Sequence, residues 1–152
     1  NCTALRLFNV YGPGQNMYNL RQGMVSIFLA QAFNHNEINV KGSKDRFRDF
    51  IFIDDVVNAF ISSYNKEKIS FDCINISTAI KTSVERLINI LKSNFDIKIK
   101  VNYKGSTSGD QFGIYGCNDK AKKLLKWDPK VGLEEGLRIM FNYEKVNYET
   151  KM

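Results

Sequence analysis

Histidine and cysteine are nearly missing from these 152 residues, which hold one of the first and three of the second. His35 stands in Asn34-His35-Asn36-Glu37, a polar stretch that reads as a solvated turn, which argues against a histidine-centred catalyst or metal site. Cys2, Cys73 and Cys117 form no Cys-x-x-Cys pair, and their odd number fits reduced thiols better than a disulfide framework or a zinc site. No apolar run approaches the length of a membrane span, so no membrane partner is expected. Nor is there a basic start followed by an apolar stretch and a cleavage site, which makes the cytoplasm the expected location.

What is present is ordinary for a globular domain: 43% hydrophobic and 25% charged residues, enough for one modest core. The net charge of +6 favours an anionic partner, either nucleic acid or a phosphorylated small molecule. The lysines are scattered through amphipathic segments, and neither zinc-finger spacing nor an aromatic RNA-binding signature is found, so nucleic acid is not the expected partner.

The chain is organised around Leu5-Arg6-Leu7-Phe8-Asn9-Val10-Tyr11-Gly12-Pro13-Gly14-Gln15. An apolar run from Ala4 to Val10 stops at a turn of Gly12, Pro13 and Gly14, which suits a buried strand delivering a polar tip to a cleft. That tip is Asn9, whose amide donates and accepts at once and can hold a phosphate or hydroxyl, or can simply satisfy backbone groups in the turn.

Further along, Gly23 opens a helix with apolar positions at Met24, Ile27, Phe28 and Ala32. Ile38 to Lys41 alternates as a short strand, Arg46 to Ile53 is extended, and Asp54 or Asp55 caps a helix running to about Tyr64. Phe71 to Ile76 reads as a buried strand. Thr82-Ser83-Val84-Glu85 is a capping box for the helix of Leu87, Ile88 and Leu91. Ile97 to Tyr103 has the period of a strand with one wet face; Asn118 caps a helix that Asp128-Pro129 breaks, and Leu133 to Tyr143 forms the last helix.

Two apparent motifs carry no chemistry. Gly12-x-Gly14 lacks the third glycine of a dinucleotide fingerprint and no long helix starts directly after it. Tyr64-Asn65-Lys66-Glu67-Lys68 has the Tyr-x-x-x-Lys spacing, but it falls at the fraying end of a helix.

Three blocks in register resemble the extended short-chain dehydrogenases, the NAD-dependent sugar-nucleotide epimerases and dehydratases. They are the Leu5–Gln15 stretch; Arg48-Asp49-Phe50-Ile51-Phe52-Ile53-Asp54-Asp55; and Gly109-Asp110-Gln111-Phe112 with the helix around Lys120 to Trp127. The resemblance covers nearly the whole chain and implies an α/β fold. All of residues 1–152 would be the C-terminal, substrate-binding portion, giving two strands to a parent parallel sheet and forming a small α+β substrate domain. The family's Tyr-x-x-x-Lys pair lies upstream of the strand at Leu5, so the match at Tyr64 is a coincidence and no catalytic residue is expected in this chain.

The same resemblance assigns roles. Asn9 and Arg48 would contact the substrate diphosphate, and a planar guanidinium forks onto phosphate as lysine cannot. Without the family, Arg48 reads as a surface partner for Asp45 or Asp49. Asp110 would accept hydrogen bonds from ribose hydroxyls or be a plain turn residue, and Thr107 stands where some relatives have a second phosphate-binding arginine. Met24 matches a backbone contact, and Asn39 and Lys41 match the strand whose backbone reads the nucleotide base, with Lys41 replacing an aromatic. Leu7 and Phe8 would line the nicotinamide pocket of NAD, Leu7 replacing the tyrosine of some epimerases. The implied parent is a UDP-hexose 4-epimerase, homodimeric through its absent N-terminal portion. Its alternatives are a sugar-nucleotide 4,6-dehydratase and a non-catalytic nucleotide-sugar-binding module, and the chain alone is expected to be inactive.

Overall fold

The computed structural model describes residues 2–19, 21, 23–66, 72–95, 98–105 and 111–149. Strands and helices alternate as β1 (Thr3–Leu7), β2 (Asn9–Tyr11), α1 (Met24–His35), β3 (Glu37–Lys41), β4 (Phe47–Arg48), β5 (Phe50–Phe52), α2 (Ile53–Tyr64), β6 (Asp72–Ile76), β7 (Thr82–Ser83), α3 (Val84–Lys92), β8 (Lys100–Lys104), α4 (Asp119–Leu125) and α5 (Leu133–Glu149). The α/β class is as expected.

The apolar run at the start is two strands, not one. β1 pairs in parallel with β6, setting Leu5 beside Ile74 and Leu7 beside Ile76, whereas β2 pairs in parallel with β5, setting Asn9 beside Phe50. The exchange of partners occurs at Phe8: its N–H donates to the Ile76 carbonyl at 3.2 Å, and the next N–H, that of Asn9, donates to the Asp49 carbonyl at 3.0 Å. The extended stretch from Arg46 likewise splits at Asp49. β4 runs antiparallel to β7, with Arg48 opposite Thr82, while β3 pairs in parallel with β8.

β5 divides the core. Phe50 and Phe52 point into a cluster with Tyr11, Leu29, Ile38 and Leu137, whereas Ile51 points into a second with Val56, Ala59, Ile74, Ile76 and Trp127. Strand side chains alternate between faces, so three consecutive buried residues must serve two cores.

Helix boundaries differ from the expected ones where side chains find other partners. Gly23 does open α1, at φ 88°, a conformation that favours glycine. Neither aspartate caps α2: the cap position is Phe52, and Asp54 and Asp55 lie in the first turn, where carboxylates complement the helix dipole. Asp55 is buried and accepts from the Lys130 N–H at 2.9 Å and the Val131 N–H at 3.0 Å; its carbonyl accepts from Trp127 Nε1 at 2.9 Å. Asn118 takes the cap position of α4 as expected, but its side-chain amide donates to the Ser77 carbonyl at 2.9 Å and makes no cap bond, and α4 ends at Leu125 with Lys126 left-handed, ahead of Asp128-Pro129. β8 begins at Lys100, its alternation fading towards an exposed Tyr103, and α5 continues past Tyr143 to Glu149. Phe71 and Ile97 lie outside the described residues.

The capping box is also rearranged. Ser83, not Thr82, caps α3 by accepting from the Arg86 N–H at 3.1 Å, and Glu85 reaches to Lys44 Nζ at 2.7 Å instead of folding back. Ser83→Ala should therefore cost about 1 kcal/mol of stability, seen as a lower urea midpoint with unchanged slope. Thr82→Ser should leave the cap intact, and an equal loss from both changes would refute the assignment.

Candidate functional site

Asp49 is the residue that assembles the site, and its own carboxylate is completely buried. One oxygen accepts from the Thr78 N–H at 2.8 Å and Thr78 Oγ1 at 2.6 Å; the other accepts from the Ala79 N–H at 2.9 Å and the Gly116 N–H at 3.1 Å. Its backbone carbonyl takes the Asn9 N–H. One residue thus ties the β1–β2 junction, the turn after β6 and the segment before α4 to the strand carrying Arg48. Sequence reasoning treated Asp49 only as a surface partner for Arg48, and with four donors on its oxygens the carboxylate serves the fold instead.

Asn9 and Arg48 flank this junction and are both half-buried. Arg48 Nη1 donates to the Phe47 carbonyl at 2.8 Å, which fixes the root of the guanidinium. Burial, and then the like charge of Arg46, lower the Arg48 pKa from its ordinary value. Arginine stays protonated at neutral pH regardless. A cleft of about 190 Å³ borders this region, with Thr78 and Thr82, the register partner of Arg48, on its wall.

The remaining candidates divide. Lys41, exposed at the end of β3, is linked to this group because its carbonyl accepts from Arg46 Nη2, two residues before Arg48. Asn39 is committed within the protein: its N–H donates to Gln31 Oε1 at 2.8 Å, its Nδ2 to Glu37 Oε1 at 2.8 Å, and its Oδ1 accepts from Asn102 Nδ2 at 3.2 Å. Met24 opens α1 and packs against the larger core. Thr107 and Asp110 lie outside the described residues, as does Lys68. Tyr64, the last residue of α2, is 90% exposed.

Leu7 ends β1 and is 40% exposed, an apolar surface of the kind that can wall a nicotinamide ring. Phe8 packs over Gly116, where an added Cβ would lie 2.7 Å from the ring and 2.5 Å from Ser77 Oγ; only glycine lets these segments meet. Nothing equivalent serves a dinucleotide phosphate at Gly12-x-Gly14. The Gly14 N–H donates to Glu144 Oε1 at 3.3 Å, placing a carboxylate where a phosphate would be repelled. Leu7 thus offers apolar surface that a nicotinamide ring could use, while Gly12-x-Gly14 offers no phosphate cradle.

An open groove of about 880 Å³ between α3 and α5 is lined by none of these candidates. It mixes Glu85, Glu134 and Glu135 with Arg86 and Arg138, a solvated ionic surface. Among the described residues no three metal-ligating side chains cluster, and no helix is long and apolar enough to cross a membrane.

Comparison with known proteins bears on this arrangement. The family described as GDP-mannose 4,6 dehydratase matches residues 1–140. A putative UDP-glucose 4-epimerase of Methanocaldococcus jannaschii is 30% identical over 96% of this chain and 46% of its own length. The crystal structure of a Thermotoga maritima UDP-glucose 4-epimerase with UDP-glucose superposes with a TM-score of 0.86 at 34% identity, covering 96% of this chain and 46% of that one. A Bacillus cereus UDP-glucuronic acid 4-epimerase, in complex with UDP-4-deoxy-4-fluoro-glucuronic acid and NAD, gives a TM-score of 0.86 at 26% identity, over 96% of this chain and 46% of that one. UDP-glucuronic acid decarboxylases are also among the relatives. The chain spans 46% of the length of each UDP-glucose 4-epimerase and 30% and 29% of the two decarboxylases. On a family match that takes in nearly all of its residues, the chain belongs to the NAD-dependent epimerases and dehydratases described as the GDP-mannose 4,6 dehydratase family.

Proposed function

We propose that this chain is the substrate-binding half of a sugar-nucleotide epimerase, with a UDP-hexose as the substrate and inversion at the sugar C4 as the reaction. The observation that supports the reading is that the Asn9 N–H donates to the carbonyl of Asp49, the residue after Arg48, so that both candidates stand at one strand junction, from which an amide and a guanidinium would reach one diphosphate. Arg48 would hold the phosphates through paired, charge-assisted hydrogen bonds, Asn9 would orient them, and Asp110 would accept from the ribose hydroxyls. Leu7 and Phe8 would exclude water from the nicotinamide edge. NAD, the family's cofactor, supplies a reversible hydride acceptor when bound. The chain's own part is to fix the substrate so that one sugar carbon faces it.

A 4,6-dehydratase is the second reading, favoured by the description of the matching family. Both readings use the same diphosphate clamp and differ in residues this sequence does not contain. The proton-transfer pair and the dinucleotide fingerprint are absent from it, so the purified chain should show no turnover of UDP-glucose with NAD. It should nonetheless bind UDP at one site in a calorimetric titration. Uridine, which lacks the phosphates, should bind at least tenfold more weakly, the loss of one charge-assisted contact of about 1.5–3 kcal/mol. Equal affinity for uridine and UDP would remove the diphosphate clamp from the reading, and turnover by the chain alone would remove the division of labour.

A further inference from the structure

We infer that Arg46 is a positioning residue: by clasping the turn between β3 and β4 it fixes the span from the end of β3, where the nucleotide base would lie, to Arg48, so that base and diphosphate are bound as one unit. The inference rests on the sugar-nucleotide reading given above and adds to it a residue that touches no ligand. The turn is residues 42–46, and the Arg46 guanidinium reaches back along it. Its Nε donates to the Ser43 carbonyl at 3.2 Å and its Nη2 to the Lys41 carbonyl, two backbone oxygens that a planar fork can meet at once. Gly42 makes the room: its φ is 88°, and an added Cβ would lie 3.1 Å from Arg46 Cζ.

The turn is seated from its other side on α3. The Arg46 carbonyl accepts from the Val84 N–H at 2.8 Å and the Lys44 carbonyl from the Glu85 N–H at 3.0 Å, so two amides of the first helical turn, which have no partner inside the helix, hold the loop. Phe47 then carries the geometry of Arg46 to Arg48, because its own backbone is fixed: its N–H donates to the Phe112 carbonyl at 3.2 Å, and its carbonyl accepts from the Ile114 N–H at 3.3 Å and from Arg48 Nη1 at 2.8 Å. The two guanidinium groups are close enough for the charge of Arg46 to lower the Arg48 pKa. Ordering so long a side chain against its own half-buried turn costs entropy and returns little stability. What it does return is a defined distance between two binding elements, which lowers the cost of ordering them when ligand arrives.

Two variants loosen the clasp without changing the charge of the chain. Arg46→Lys retains a cation but meets only one of the two carbonyls; Gly42→Ala retains the guanidinium but strains a left-handed position and crowds Cζ. Circular dichroism establishes that each is folded, and either one carries the test. In calorimetric titrations inorganic pyrophosphate calls on the diphosphate contacts alone, whereas UDP calls on the whole span. Both variants should bind UDP about tenfold more weakly and pyrophosphate within about twofold of the unaltered protein. Amide exchange reads the clasp without ligand: the Val84 and Glu85 N–H groups should exchange about tenfold faster in both variants, and the Arg86 N–H, held by Ser83 Oγ, should not. An equal loss for UDP and pyrophosphate in Arg46→Lys would make Arg46 a phosphate contact and overturn the inference. A protein that binds UDP with the same preference over pyrophosphate in all three forms overturns the inference alone; one whose unaltered form binds neither ligand overturns the proposed function and the inference with it.

Discussion

Replacing Asp49 with alanine should destabilise the fold by about 3 kcal/mol or more, since four donors lose their acceptor and each buried one left unmet costs roughly 1–3 kcal/mol. The Gly116 N–H suffers most, being buried under Phe8 and Ser77 where water cannot replace the carboxylate. The turn at Thr78 and Ala79 is nearer solvent and recovers part of its loss, but Ala79 holds a φ of 62°, which alanine adopts only under constraint. Releasing it lets the turn relax and carries β7 away from Arg48. Asp49→Asn is the informative companion: the amide has the same shape, but its NH2 would face two N–H donors, so it should recover only part of the stability. Urea unfolding measures both. An Asp49→Ala variant within 1 kcal/mol of the starting protein would show that the four hydrogen bonds contribute little, and that something else holds Asn9 and Arg48 together.

Most elements were legible in the sequence because their signals are local. The periodicity of Met24, Ile27, Phe28 and Ala32 after a glycine specifies α1 without help from the rest of the chain, and the residues of α3 do so as well. Register breaks were not legible. Nothing between Ala4 and Val10 announces that hydrogen bonding passes from β6 to β5 at Phe8, because the exchange depends on where two distant strands end. Side-chain cap bonds were not legible for a related reason: Asp55, Asn118 and Glu85 are all competent capping side chains, and each is drawn off by a tertiary partner, Lys130 and Val131, Ser77, or Lys44, even where Asn118 keeps the cap position. A short polar side chain has several neighbours within reach, and only the folded chain decides among them.

The site divides along the same line. The motif identified Arg48 and Asn9 as candidates, and their proximity follows from the β2–β5 pairing. The role of Asp49 was hidden although it lies within the same motif, because the two segments its carboxylate binds lie 29 to 30 and 67 positions further along the chain. A buried carboxylate and a surface ion-pair partner look alike in sequence. The one available signal was its place directly before the apolar run Phe50 to Ile53, where a charged residue needs a reason to be buried.

Arg48→Lys should weaken UDP binding about tenfold to a hundredfold while leaving the fold intact. The substitution keeps a cation on a long stem but loses the planar fork, so one of two parallel contacts to the diphosphate goes, worth roughly 1.5–3 kcal/mol. Stability should hold because the side chain is only half-buried and lysine keeps both a long apolar stem and the positive charge. That separates this change from Asp49→Ala, which should lose binding and stability together. The lowered pKa of Arg48, caused by burial and by Arg46, adds a sign to the expectation. An ammonium placed in the same surroundings meets the same desolvation and the same repulsion, and, unlike guanidinium, it can escape by losing its proton, so the lysine variant should lose further affinity as the pH rises above neutral while the arginine protein does not. Calorimetric titration with UDP at two pH values, alongside urea unfolding, reads all of this without catalysis. If Arg48→Lys binds UDP as tightly as the unaltered protein at both values, the guanidinium takes no part in holding phosphate, and Asn9 becomes the only described residue of this chain left to do so.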